Sequence, residues 1–166
     1  NQTNVHANMT GWFMHETNND FMSLCDTAIK VADDNSPSKV LLMPYDCWGV
    51  VYNKNDFGKP HDHWPAIWSW VYNVECCDDC APLQFDDANI SVRPKNGNMV
   101  MFPGWVKHSV PKHQCDHERI IVAGNLGLNP WWMVNRLDVQ RQEVSEKYKN
   151  IAELGMKELT KLQNTK

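Results

Sequence analysis

A chain of 166 residues with 42% hydrophobic content has the size of one domain around a single core. Its formal charge of −4, with no dense Lys/Arg run ahead of the last helical stretch, excludes a broad basic footprint for gripping nucleic acid. No apolar run reaches the roughly 18 residues that a membrane span needs, and the polar start NQTNVHANMT has no signal-peptide character, so a cytoplasmic protein is expected.

In chain order, DFMSLCDTAIKVAD places Phe21, Leu24, Cys25, Ala28 and Ile29 at helical spacing behind the cap-forming TNND, which predicts a helix over about 20–33. Ser36-Pro37 breaks it. Two short β-prone runs follow, around Val40 to Met43 and Trp48 to Tyr52, and NKNDFGKP reads as a linker. AIWSWVYNVE, PLQF, NISVRP, NMVMF, WVKHSV and ERIIVAGNL then read as closely spaced strands with turn chemistry in each gap, the pattern of a sandwich or barrel over about 40–128. NMVMF is apolar on both faces and is expected to be buried between covering elements. Leu137, Val144, Tyr148, Ile151, Leu159 and Leu162 predict a long C-terminal helix over about 136–163. It would pack on the sheet or, as the second choice, make a homodimer contact. The whole is expected to be one domain, 1–166.

The chemistry concentrates between His61 and Asn125. In an extended strand residues i and i+2 share a face, so His61 and His63 of HDH can point inward together while Asp62 points away. His108 would join them by tertiary folding, and imidazoles suit zinc, copper, nickel and iron. Arg119, taken alone, reads as a surface ion pair with Glu118 or Asp116. The six cysteines, Cys25, Cys47, Cys76, Cys77, Cys80 and Cys115, are even in number, but a chain this long and Trp-rich does not need a disulfide frame. The sequons at Asn1, Asn8 and Asn89 are short enough to arise by chance.

The segments KPHDHWPAIWSWVYNV, APLQF, VRPKNGNMVMFPGWVKHSV and ERIIVAGN, with PGW leading to His108 as the most specific part, resemble the 2-oxoglutarate- and Fe(II)-dependent oxygenases. The likeness runs from Trp48 to Leu126, is strongest to the small oxygenases of marine phages and bacteria, and has a segment order like that of prolyl hydroxylases. It implies a mainly β fold with flanking helices, a double-stranded β-helix of the jelly-roll, cupin-like kind. It also implies a catalytic iron set of His61, His63 and His108, with Arg119 binding the distal carboxylate of 2-oxoglutarate. The implied reaction hydroxylates a C–H bond with O2, on a protein or peptide side chain such as proline, and a viral source would put it in the host cytoplasm. The family's usual motif is His-x-Asp or His-x-Glu, whereas His63 stands at the carboxylate position here, and Ile121 stands where many relatives have Arg-x-Ser. Three neutral imidazoles leave the full charge on the metal, so its tuning must differ. Binding by only one of His61 and His63, with water in the third place, is the other option.

Tyr45, Trp48, Tyr52, Trp68, Trp70 and Tyr72 are pocket-wall candidates, although strand aromatics are more often core. Trp64-Pro65 is expected at the pocket mouth. Asp86-Asp87 is either an alternative carboxylate ligand or a turn. If the strands alternate as in the double-stranded β-helix, the loops CCDDC (Cys76, Cys77, Cys80) and PKHQCDH (His113, Cys115, His117) emerge at the same end, where they could hold a structural zinc or carry reduced bystander thiols. Two other functions compete with the oxygenase: a cupin-like three-His dioxygenase or isomerase that does not use 2-oxoglutarate, and a non-catalytic metal-binding barrel that docks a partner through the C-terminal helix.

Overall fold

The computed structural model describes residues 3–36 and 40–129. The C-terminal helix expected at 136–163, and any dimer contact through it, lies outside these residues. Within the unit Asn1–Leu128 the strands are β1 (Val5–His6), β2 (Asn8–Met9), β3 (Leu42–Tyr52), β4 (Phe57–His61), β5 (Trp68–Glu75), β6 (Leu83–Phe85), β7 (Ile90–Val92), β8 (Met99–Pro103), β9 (His108–Val110) and β10 (Arg119–Leu128). Helix α1 (Asn19–Asn35) lies between β2 and β3. The strands form two five-stranded antiparallel sheets, β1-β4-β9-β6-β7 and β2-β3-β10-β5-β8. No helix of the described residues is long and apolar enough to cross a membrane.

Side-chain parity along β3 and β10 sets the layering. Trp48, Val50 and Tyr52 of β3, with Ile121 and Ala123 of β10, enter the core between the sheets, where Val71, Leu83, Phe85, Phe102 and Val110 meet them. Cys47 and Val122 point to the opposite face and pack with Leu42, Trp70 and Leu126 under α1. That helix begins at Asn18, whose side-chain oxygen accepts from the Asp20 and Phe21 N–H groups. Cys25, Ala28 and Ala32 recur at helical spacing and are fully buried; their small side chains let the helix lie close on the sheet.

The two short runs expected before the linker are one strand of 11 residues. Pro44, which cannot donate to a ladder, is accommodated where the register shifts at Asn125/Leu126. The expected linker contains β4: Gly58 and Pro60 mask its strand character, and pairing with β9 supplies it. NMVMF departs from expectation in a different way. Both of its faces are apolar because Val100 and Phe102 meet the inter-sheet core while Met99 and Met101 meet the α1 layer. As an edge strand with β5 as its one ladder neighbour, it has only Phe102 fully buried.

One buried polar chain crosses three strands. Ser69 Oγ donates to Asn125 Oδ1 at 2.6 Å, and Asn125 Nδ2 donates to Asp46 Oδ1 at 2.7 Å. Ser69, Asn125 and Asp46 are register partners on β5, β10 and β3, so the bonds follow the ladder.

Candidate active site

The antiparallel pair β4/β9 sets His61 directly opposite His108, and their ring centroids are 4.4 Å apart. His61 Nδ1 donates to the Lys59 carbonyl at 2.6 Å, and His108 Nδ1 donates to the Val106 carbonyl at 3.1 Å. A carbonyl can only accept, so both rings carry the proton on Nδ1 and leave the Nε2 lone pair for a metal.

His63 reaches the same place by another route. β4 ends at His61, so the expected i, i+2 strand geometry does not deliver it. Instead the turn that follows fixes His63 through its backbone: its N–H donates to Gly104 O at 2.8 Å, and its carbonyl accepts from Ala66 N–H at 2.8 Å. Its ring centroid then lies 4.9 Å from that of His61 and 5.0 Å from that of His108, and ligand atoms of all three residues lie within 4.8 Å of one another. Burial, followed by the neighbouring His108 and His61, pushes the His63 imidazolium down to about 3; burial and His61 push His108 down to about 4. Both rings are therefore neutral at physiological pH, the form that binds metal. Asp62 turns away and accepts from the Trp64 N–H at 3.1 Å.

Arg119 opens β10, is 1% exposed, and faces the same cavity as the three histidines. The carboxylates expected beside it are elsewhere: Asp116 pairs with Lys54 Nζ at 2.8 Å, and Glu118 is exposed. The Arg119 Nε and Nη1 atoms are buried without a hydrogen-bond partner. Its guanidinium carbon stands 5.4 Å from the centre of the Tyr52 ring, and Tyr52 is its register partner on β3. Burial lowers the Arg119 pKa in direction and pushes the Tyr52 phenol up to about 12, which keeps that hydroxyl protonated. Val50, Val71, Leu83 and Ile121 supply apolar wall.

Of the aromatic candidates, Trp48, Tyr52 and Trp70 line this cavity, Trp68 and Tyr72 pack in the layer beneath α1, and Tyr45 is exposed. A second, open depression adjoins the imidazoles and is walled by Thr3, Asn4, Val5, Trp12, Trp48, His61, Asp62 and His63. Trp12 meets Trp48 edge-on at 4.8 Å. Its contribution was not legible in the sequence, because Trp12 lies far upstream with no strand or helix signal around it. Trp64 is 74% exposed and does not line either cavity. Asp86 is in a single helical turn and accepts from Ser109 Oγ at 2.8 Å, so the turn reading holds and the ligand reading does not. Cys77, Cys80 and Cys115 converge at the far ends of β5 and β9, while Cys76 bonds Asn96.

Two facing sheets enclosing an imidazole cluster and a buried guanidinium define a double-stranded β-helix of the oxygenase and cupin kind. Solved structures share that fold. The viral collagen prolyl hydroxylase of Paramecium bursaria Chlorella virus-1, in its 2-oxoglutarate complex, superposes with TM-score 0.61 at 12% identity over 75% of this chain and 80% of that one. A Pseudomonas putida prolyl-4-hydroxylase gives 0.58 at 16% identity, covering 75% and 73%. HygX of Streptomyces hygroscopicus, with nickel and 2-oxoglutarate bound, gives 0.55 at 9% identity, covering 74% of each. At these identities the likeness is one of fold. No curated protein matches the chain in sequence. Residues 84–125 match the family described as "Putative 2OG-Fe(II) oxygenase", a stretch that contains His108 and Arg119. That stretch is similar to the 2-oxoglutarate- and Fe(II)-dependent oxygenases in sequence, and the solved structures are similar to the chain in fold.

Proposed function

We propose that the protein is a 2-oxoglutarate- and Fe(II)-dependent oxygenase that hydroxylates a C–H bond of a peptide or protein side chain, with His61, His63 and His108 holding Fe(II) and Arg119 holding 2-oxoglutarate. The observation that carries the reading is the unpaired, buried Arg119 guanidinium on the same cavity as the three imidazoles. A buried cation without a counterion is costly. A dicarboxylate with one end toward the histidines and the other at Arg119 would relieve that cost. This favours 2-oxoglutarate over the cupin-like three-His reading, which gives Arg119 no role.

Bound iron would supply the oxygen activation that couples 2-oxoglutarate decarboxylation to substrate hydroxylation, giving succinate, CO2 and the hydroxylated product. The protein's own groups do the positioning. The Nδ1–H bonds of His61 and His108 to backbone carbonyls aim their Nε2 atoms, and His63 would replace the usual carboxylate as a neutral third ligand. Arg119 would make charge-assisted hydrogen bonds to the distal carboxylate, the Tyr52 hydroxyl could donate to it as well, and Val50, Val71 and Ile121 would cover the methylenes and exclude water. The prime substrate would enter the open depression. Trp12 there offers an exposed flat apolar face suited to a pyrrolidine ring, and prolyl hydroxylases are among the proteins of similar fold.

Reduced protein supplied with Fe(II), 2-oxoglutarate and O2 is expected to form succinate slowly on its own and faster with proline-rich peptides, which gain one oxygen in mass. Succinate without peptide oxidation would keep the oxygenase and discard the prolyl substrate. No succinate under either condition would discard the reading.

A further inference from the structure

We propose that Cys77, Cys80 and Cys115 bind one zinc ion as thiolates, forming a clip outside the imidazole site that ties the β5–β6 loop to the β9–β10 loop. Their sulfurs form a nearly equilateral triangle: Cys77–Cys80 is 3.5 Å, Cys77–Cys115 is 3.7 Å and Cys80–Cys115 is 3.8 Å. Three thiolates on one tetrahedral zinc, each with a bond of about 2.3 Å, stand about 3.8 Å apart. A disulfide would need one pair at about 2.05 Å and would leave the third sulfur outside. All three thiols are free.

The surrounding bonds support the triangle as a built site. Cys77 and Cys80 close a turn in which the Cys80 N–H donates to the Cys77 carbonyl at 3.1 Å, and the Cys77 N–H donates to Cys80 Sγ at 3.2 Å. Backbone N–H donation to sulfur favours the thiolate that a metal requires. Beneath the triangle His113 is fully buried and joins the two loops, since its Nδ1 accepts from the Ala81 N–H at 3.2 Å and its Nε2 donates to the His117 carbonyl at 2.6 Å. Those two bonds fix the tautomer, and Nε2 also lies 3.3 Å from Cys115 Sγ. His113 thus supports the cluster from behind as a hydrogen-bond donor. Cys76 is turned to Asn96 Oδ1 at 2.9 Å. Cys77 and Cys115 are half-buried, so a solvent molecule could complete the four-coordinate shell that zinc prefers.

Cys80 and Cys115 are 35 residues apart, and Cys115 lies just before β10, which starts at Arg119. Zinc here would close a long loop and hold the start of β10 in place. The inference does not depend on the cosubstrate reading, and its test is kept apart from the imidazoles. In a His61→Ala/His108→Ala double variant, purified under reducing conditions, metal analysis is expected to find one zinc per chain. Mercurial modification of the thiols should release that zinc, and cobalt in its place should give sulfur-to-metal charge-transfer absorption. Cys77→Ser, at a half-exposed position, should lose most of the zinc with the fold retained by circular dichroism. The proposal is overturned if the reduced double variant binds no zinc on titration, if Cys77→Ser and Cys115→Ser both keep a full equivalent, or if the cobalt spectrum lacks the sulfur band.

Discussion

His61 and His108 are register partners across β4 and β9, and each is anchored by an Nδ1–H bond to a backbone carbonyl two residues upstream in its own chain segment. The Nε2 atoms are thereby held in place, so little side-chain entropy would remain to be lost if they bind a metal. His63 has no such anchor in its ring and depends on the turn that carries it.

That difference predicts graded effects. His61→Ala and His108→Ala are each expected to abolish stoichiometric iron binding, because the remaining imidazoles compete poorly with water. His63→Ala should weaken binding severely, whereas His63→Asp should retain iron by restoring an anionic ligand. Iron content after anaerobic reconstitution measures this. Full occupancy in His63→Ala would remove His63 from the ligand set.

Gly104 of the PGW tripeptide explains how that turn is held. A Cβ built there would meet the Ala66 carbonyl oxygen, with the Ala66 carbonyl carbon at 2.7 Å, and Gly104 O is the acceptor for His63 N–H. Gly104→Ala should cost roughly 1–3 kcal/mol of stability and also lower iron affinity by displacing His63. Gly11→Ala, where a Cβ meets nothing within 4 Å, is the control. Denaturant melts and iron titration of both variants give the answer; unchanged iron affinity in Gly104→Ala would confine its role to packing.

Asp46 carries a pH signature. Burial pushes its carboxyl up to about 6, against the opposing effect of the Asn125 hydrogen bond. Because the folded value exceeds the unfolded one, the folded state keeps a proton that the unfolded chain has released; that stabilisation is complete below pH ~4 and is lost as pH rises through about 6. Asp46→Asn keeps an oxygen for Asn125 Nδ2 and removes the ionisation. It should stabilise the protein above pH 6 by on the order of 2 kcal/mol and change little near pH 4. Equal effects at both pH values in chemical denaturation would contradict this.

The parts of the site that were legible in the sequence are those whose chemistry is local. HDH, His108 behind PGW and Arg119 at a strand start were all visible as residue types in order, and the structure gathers them on one cavity. The parts that were not legible depend on pairing across distance. β4 lacks β-branched residues and owes its strand to β9; the two-residue strands β1 and β2 have no periodicity to read. The Ser69–Asn125–Asp46 chain exists only because three strands align in register. Arg119 shows the limit most clearly: beside Glu118 and Asp116 it looked like a surface ion pair, and only burial of its guanidinium, with Asp116 drawn off by Lys54, separates the two readings.

The most direct test of the central claim, that His61, His63, His108 and Arg119 form one iron and 2-oxoglutarate site, is anaerobic titration of 2-oxoglutarate into the Fe(II)-loaded protein, followed by visible absorption. The native chain should develop a saturable charge-transfer band. Arg119→Ala should keep its iron but need roughly ten- to a hundredfold more 2-oxoglutarate, the loss of a charge-assisted hydrogen bond of about 1.5–3 kcal/mol. No band in the native protein, or the same titration curve for native and Arg119→Ala, would contradict the account.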